Sequence, residues 1–96
     1  MQRRYDFLVI GSGIAGLSYA LKVAHQGNVA IVSKDGLEES NTRYAQGGIA
    51  SVMYPPDDCD QHVRDTLVSG DGLCDREVVE MVVSEAPSQI KTLIDW

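Results

Sequence analysis

Long apolar runs are missing from this 96-residue sequence. A bilayer span needs about 20 consecutive apolar residues, and no stretch approaches that. The opening segment, MQRRYDFLVIGSG, carries two arginines, but its apolar run is cut off by glycine, too early for the apolar core of a secretory signal. Cysteine is scarce: Cys59 and Cys74 stand alone, without a Cys-x-x-Cys pair or a His/Cys cluster. That argues against a disulfide framework and against a zinc site, and predicts two reduced thiols. Taken together, these absences predict a soluble cytoplasmic protein. Basic residues are few too, with 8 Lys and Arg against 14 Asp and Glu and a net charge of -6. Neutralising a phosphate backbone needs clustered basic side chains, so nucleic acid is not an expected partner. The acidity is concentrated: residues 1–48 hold five basic and four acidic side chains, residues 49–96 three and ten. Solvated helical faces account for the acidic half more simply than an acidic tail does.

What remains is ordinary globular composition, 44% hydrophobic and 23% charged, in a chain long enough for one small domain that buries about 65% of its extended surface. Tyr5 to Ile10 reads YDFLVI, an apolar run bounded by glycine, as in a strand buried on both faces. Ile14, Leu17, Leu21 and Ala24 then recur at helical spacing, with His25 and Gly27 as a C-terminal stop. NVAIVSK, Asn28 to Lys34, is rich in β-branched residues and reads as a second strand. Strand, helix, strand in this span is a βαβ unit with parallel strands. The fold class is α/β, the N-terminal part of a doubly wound, Rossmann-like domain.

The middle of the chain is harder to read. From Asp35 to Asp58 no periodic template fits well, although IASVMY suits a short strand before Pro55-Pro56. A connection this long is usually functional or disordered. Helical spacing returns from Cys59 to Ser69 and stops at Gly70 and Gly72, after which Asp75 suits an N-cap for a helix bearing Val78, Val79, Val82 and Ala86. Pro87 should kink that helix or begin a new turn, with Ile90, Leu93 and Ile94 on the segment beyond. A doubly wound domain has around five or six strands and two are evident, so residues 1–96 are expected to be the N-terminal portion of a larger domain, with the rest of it and a substrate domain elsewhere.

GSGIAG, Gly11 to Gly16, lies between the first strand and the first helix. At a dinucleotide site the first glycine permits the tight turn, the second lets backbone approach a pyrophosphate, and the third brings helix and strand close. The backbone N–H groups of Ser12, Gly13, Ile14 and Ala15, at the positive end of the helix dipole, then suit phosphate oxygens. A lone glycine motif often serves only a turn; strand before, helix after and strand beyond favour the phosphate reading. The acidic residue expected about 20 positions on for the adenosine ribose is replaced by Ser33 and Lys34, and Asp35 belongs more simply to a KDG turn. A plain NAD site is therefore disfavoured. Ligands of open α/β sheets lie outside the carboxyl ends of the strands, which is where SNTRYAQGGIAS begins. Its glycine pair and its hydroxyl and amide side chains suit a flat ring and a polar linker, and a glycine-turn surface loop suits the same spacing.

GSGIAG, VSK, SNTRYAQGGIA and HVRDTLVSGDGLCDREVVE together resemble the start of the flavoprotein family that contains the succinate dehydrogenase and fumarate reductase flavoprotein subunits and L-aspartate oxidase. The resemblance covers nearly the whole chain, and within the family it is nearest to the L-aspartate oxidase branch. It implies FAD contacts at Ser12, Gly13, Ile14, Ala15, Gly16, Lys34, Asn41, Thr42, Arg43, Tyr44, Ala45, Gln46, Gly47 and Gly48. Membrane-bound members of the family carry a histidine bonded covalently to the flavin where this chain has Asn41, so the resemblance implies non-covalent FAD. The implied activity is oxidation of L-aspartate to iminoaspartate for quinolinate and NAD biosynthesis, with hydride passing from the α-carbon to FAD and on to oxygen or fumarate. Quinolinate synthase is the implied partner, and no catalytic residue is expected in residues 1–96. A fumarate reductase or succinate dehydrogenase flavoprotein and a non-catalytic nucleotide-binding module are the alternatives. His25 reads as a helix-end residue and His62 as structural; Asp57, Asp58 and Asp60 read as a turn and N-cap, with no metal expected.

Overall fold

The computed structural model describes residues Met1–Trp96 and divides into two compact units, Met1–Gly47 and Gly48–Trp96. The first contains β1 (Phe7–Ile10), α1 (Ile14–Val23), β2 (Val29–Val32) and a single helical turn, α2 (Asn41–Tyr44). β1 and β2 pair in parallel, Phe7 with Val29 through Ile10 with Val32, as a helix-length crossover requires. The side-chain alternation of the strands puts Val9 and Ile31 on the face that α1 covers. There Val9 and Ala20 are buried, and exposed Leu17, Leu21 and Ala24 with half-buried Val29 line an open apolar groove beside them. The opposite face differs from the two-sided burial expected of these strands: Leu8, Ile10 and Val32 are 63%, 82% and 52% exposed. The first unit has one long helix, and one helix covers one face.

α1 begins without a side-chain cap at Gly13 and ends at Val23, with Lys22 in its last turn, where a cation complements the helix dipole. It stops earlier than Gly27. The Gln26 N–H donates to the Val23 carbonyl at 2.8 Å, and exposed His25 lies within this turn.

The second unit pairs α3 (Cys59–Ser69) with α4 (Arg76–Asp95) around buried Val63 and Val83. Both helices start at aspartate caps, as expected: Asp58 accepts from the Gln61 N–H at 2.7 Å and Asp75 from the Val78 N–H at 3.3 Å. IASVMY forms no strand, because a strand needs a ladder partner and the sheet consists of β1 and β2 alone. Pro87 does not divide α4 either. Buried Val83 and half-buried Val79, Ala86 and Ile90 form one continuous face across it, and packing along such a face outweighs the local cost of proline. No helix is long and apolar enough to cross a membrane.

Candidate functional site

The three glycines of the loop between β1 and α1 are there for three different reasons. Gly11 has φ +107°, a backbone that side chains with a Cβ rarely adopt. A Cβ on Gly16 would collide with the Gly11 carbonyl oxygen and stand 3.2 Å from Val9 Cγ1, so this glycine sets how closely α1 approaches β1. Gly13 is different. Its backbone is extended, and a Cβ there would meet only Thr42 Oγ1, at an ordinary 3.5 Å. Nothing in the fold requires glycine at position 13, whereas a ligand brought against the backbone would.

Thr42 reaches this loop from the far side of β2. Its Oγ1 accepts the Ile14 N–H at 3.0 Å, so one of the four N–H groups expected to face phosphate is engaged within the chain. The N–H groups of Ser12, Gly13, Ala15 and Gly16 have no partner in the chain. Unpaired donors at the positive end of a helix are matched to anionic oxygens. Ser12 is 5% exposed, and with Leu17, Leu37, Glu38, Ser40, Thr42 and Arg43 it lines an open cavity of about 480 Å³. That size is within the usual range for small-molecule sites.

The far wall of the cavity comes from the segment that showed no periodicity in sequence. Ser40 caps α2 by accepting the Arg43 N–H at 3.3 Å. Arg43 Nη1 reaches Glu38 at 3.1 Å and Glu39 at 3.5 Å, the Tyr44 hydroxyl donates to Glu39 at 2.9 Å, and the guanidinium lies 5.8 Å from the Tyr44 ring centre. These pairs are exposed and individually weak, so an incoming anion can compete for Arg43. Ser40 belongs to the stretch expected to meet a polar linker, whereas Leu37 and Glu38 were not foreseen as part of the wall. Ser40, three residues before the N–H it accepts, was the readable cap signal; Leu37 carries none.

Of the other residues expected to meet cofactor, Lys34, Asn41, Ala45, Gln46 and Gly47 are exposed in the first unit, and Gly48 opens the second. Ser33 donates its hydroxyl to the Asp35 carbonyl, and Asp35 accepts the Gly36 N–H at 2.8 Å, so Asp35 serves the turn. In the second unit His62 is half-buried, its carbonyl accepting from Thr66 Oγ1 at 2.8 Å. No three His, Cys, Asp or Glu side chains are placed to hold a metal ion.

A family model described as an FAD binding domain matches residues 6–96. The chain belongs to this FAD-binding family. FAD is the cofactor of the domain, and the unpaired N–H groups of the glycine loop, whose Ser12 lines the open cavity, fit its anionic linker. The chain is similar to an L-aspartate oxidase of Arabidopsis thaliana described as chloroplastic, with 57% identity over 94% of this chain and 14% of that protein. It is also similar to the L-aspartate oxidase of Yersinia pestis, with 52% identity over 94% of this chain and 17% of that protein. Among solved structures it resembles a mutant of the E. coli quinol fumarate reductase FrdA, with a TM-score of 0.85 and 34% identity over all of this chain and 17% of that one. The chain thus spans about a seventh of the length of the plant relative. The expected α/β class and FAD-binding family are both established.

Proposed function

We propose that the protein is an FAD-dependent oxidase that converts L-aspartate to iminoaspartate in the cytoplasm, with residues 1–96 as the N-terminal portion of its FAD domain. The observation that carries this reading most is the loop Gly11–Gly16, with its unpaired N–H groups and a Gly13 that the fold does not require, and with Ser12 lining a cavity walled by residues of the 37–43 segment. FAD, when bound, supplies the acceptor for the substrate's hydride. Ser12, Gly13, Ala15 and Gly16 offer backbone to the pyrophosphate, and Ile14 and Thr42 hold the loop. Lys34 lies beyond β2 for the ribose end, and the segment from Asn41 to Gly48 serves the linker and ring. The likeness to L-aspartate oxidases supports the choice of substrate. Iminoaspartate is unstable and would pass to quinolinate synthase, with oxygen or fumarate reoxidising the flavin.

Asn41 is an amide where covalent members of the family carry histidine, so FAD is held without a bond to protein. Acid precipitation of the full-length protein should leave the yellow colour in solution; colour retained by the pellet would refute this. The fumarate reductase reading is favoured by one observation, the likeness to FrdA. Anaerobic addition of L-aspartate should bleach the flavin while succinate does so poorly. The reverse outcome selects the reductase, and bleaching by neither would leave a flavin-binding domain whose substrate lies elsewhere.

A further inference from the structure

We propose that Thr42 is a positioning residue, a strut whose hydroxyl fixes the first turn of α1 to the segment carrying α2. Its consequence for ligand binding rests on the FAD reading; its geometry does not. Helices usually satisfy a first-turn N–H with the side chain of their own N-cap, but Gly13 has no side chain to offer. The acceptor for Ile14 N–H comes instead from 28 residues further along the chain, at 3.0 Å. A donor satisfied from so far away ties the placement of one segment to the other. Thr42 is itself held: Ser40 caps its turn, and its carbonyl accepts the Ala45 N–H at 3.4 Å.

An oxygen that accepts from Ile14 keeps its own proton, and that proton has no acceptor within the chain. Thr42 lines the same cavity as Ser12. The strut therefore leaves a hydroxyl donor beside Gly13, in a loop whose N–H groups at Gly13 and Ala15 are unpaired, where an anionic oxygen is the matching partner. One atom both sets the spacing between the two walls and completes the donor set along one of them.

The test compares the flavin-free, full-length protein with its Thr42→Ser, Thr42→Val and Thr42→Ala forms by residue-resolved amide hydrogen exchange. The Ile14 amide should exchange slowly in the parent and in Thr42→Ser. It should exchange about fivefold to tenfold faster in Thr42→Val and Thr42→Ala, the loss expected for one modest hydrogen bond. The Ala15 and Gly16 amides should not change, and unchanged exchange at Ile31 reports that β2 remains folded. FAD affinity should follow the same order, with Thr42→Ser close to the parent. Equal Ile14 exchange in all four proteins overturns the proposal. Absence of FAD binding in all four, with the Ile14 pattern as stated, supports the strut and removes the flavin reading instead.

Discussion

The two units of this chain put their functional weight in different parts of the polypeptide. In Met1–Gly47 the candidate site is mostly main chain: free N–H groups, two glycines that the fold demands and a third that only a ligand would demand. In Gly48–Trp96 the organising groups are side chains, two aspartate caps and one apolar face that runs past a proline. Main-chain sites tolerate change at most neighbouring side chains but not at the glycines, whereas side-chain organisation spreads its energy over many replaceable contacts.

Substitutions can break or sharpen that contrast. The largest effect is expected for Gly16→Val. Its Cβ meets main chain at Gly11, which cannot rotate away, so a loss of at least about 3 kcal/mol is expected. Accelerated amide exchange across Val29–Val32, together with loss of flavin, would register it, and normal protection would disprove the close approach. Pro87→Ala should act in the opposite direction in the second unit. The Val83 carbonyl faces a residue without an N–H, so restoring that donor should raise stability by about 2 kcal/mol in urea titration.

Gly13→Val separates binding from folding. Flavin occupancy should collapse while stability falls by less than about 1 kcal/mol, because a Cβ at position 13 meets only the Thr42 hydroxyl, at ordinary contact, and no backbone. A fully flavinated variant would remove the phosphate site. Asp58→Ala should cost about 1 kcal/mol, and somewhat more than Asp75→Ala given the shorter bond, with FAD affinity unchanged in both. The smallest effect is expected for Arg76→Ala, which removes an exposed 2.9 Å pair with Glu80 and should shift stability by no more than about 0.5 kcal/mol.

The elements legible in sequence were those whose signal is local. The βαβ unit announced itself through Tyr5–Ile10, the glycine loop and NVAIVSK, and α3 through its aspartate cap and terminal glycines. What could not be read was set by distant partners. IASVMY has strand-like composition but no ladder neighbour, and Pro87 carries a breaker signal that the face from Val79 to Ile90 overrides. At the site, the glycines were evident because their chemistry is positional. The Thr42 bond to Ile14 was not, since no periodicity links residues 28 positions apart.

The end of the sheet has a further consequence. The Gly11 N–H donates to the Val32 carbonyl at 2.8 Å, the last rung after Ile10 pairs with Val32, so β1 and β2 finish level with each other. The segment after β2 is moored twice, at Val32 to the sheet and at Thr42 to α1, and residues 33–41 span those moorings through the Asp35 turn and the Ser40 cap. A change of length or charge between the moorings would therefore alter the wall that Leu37, Glu38 and Ser40 form, while the glycine loop stays where the sheet holds it.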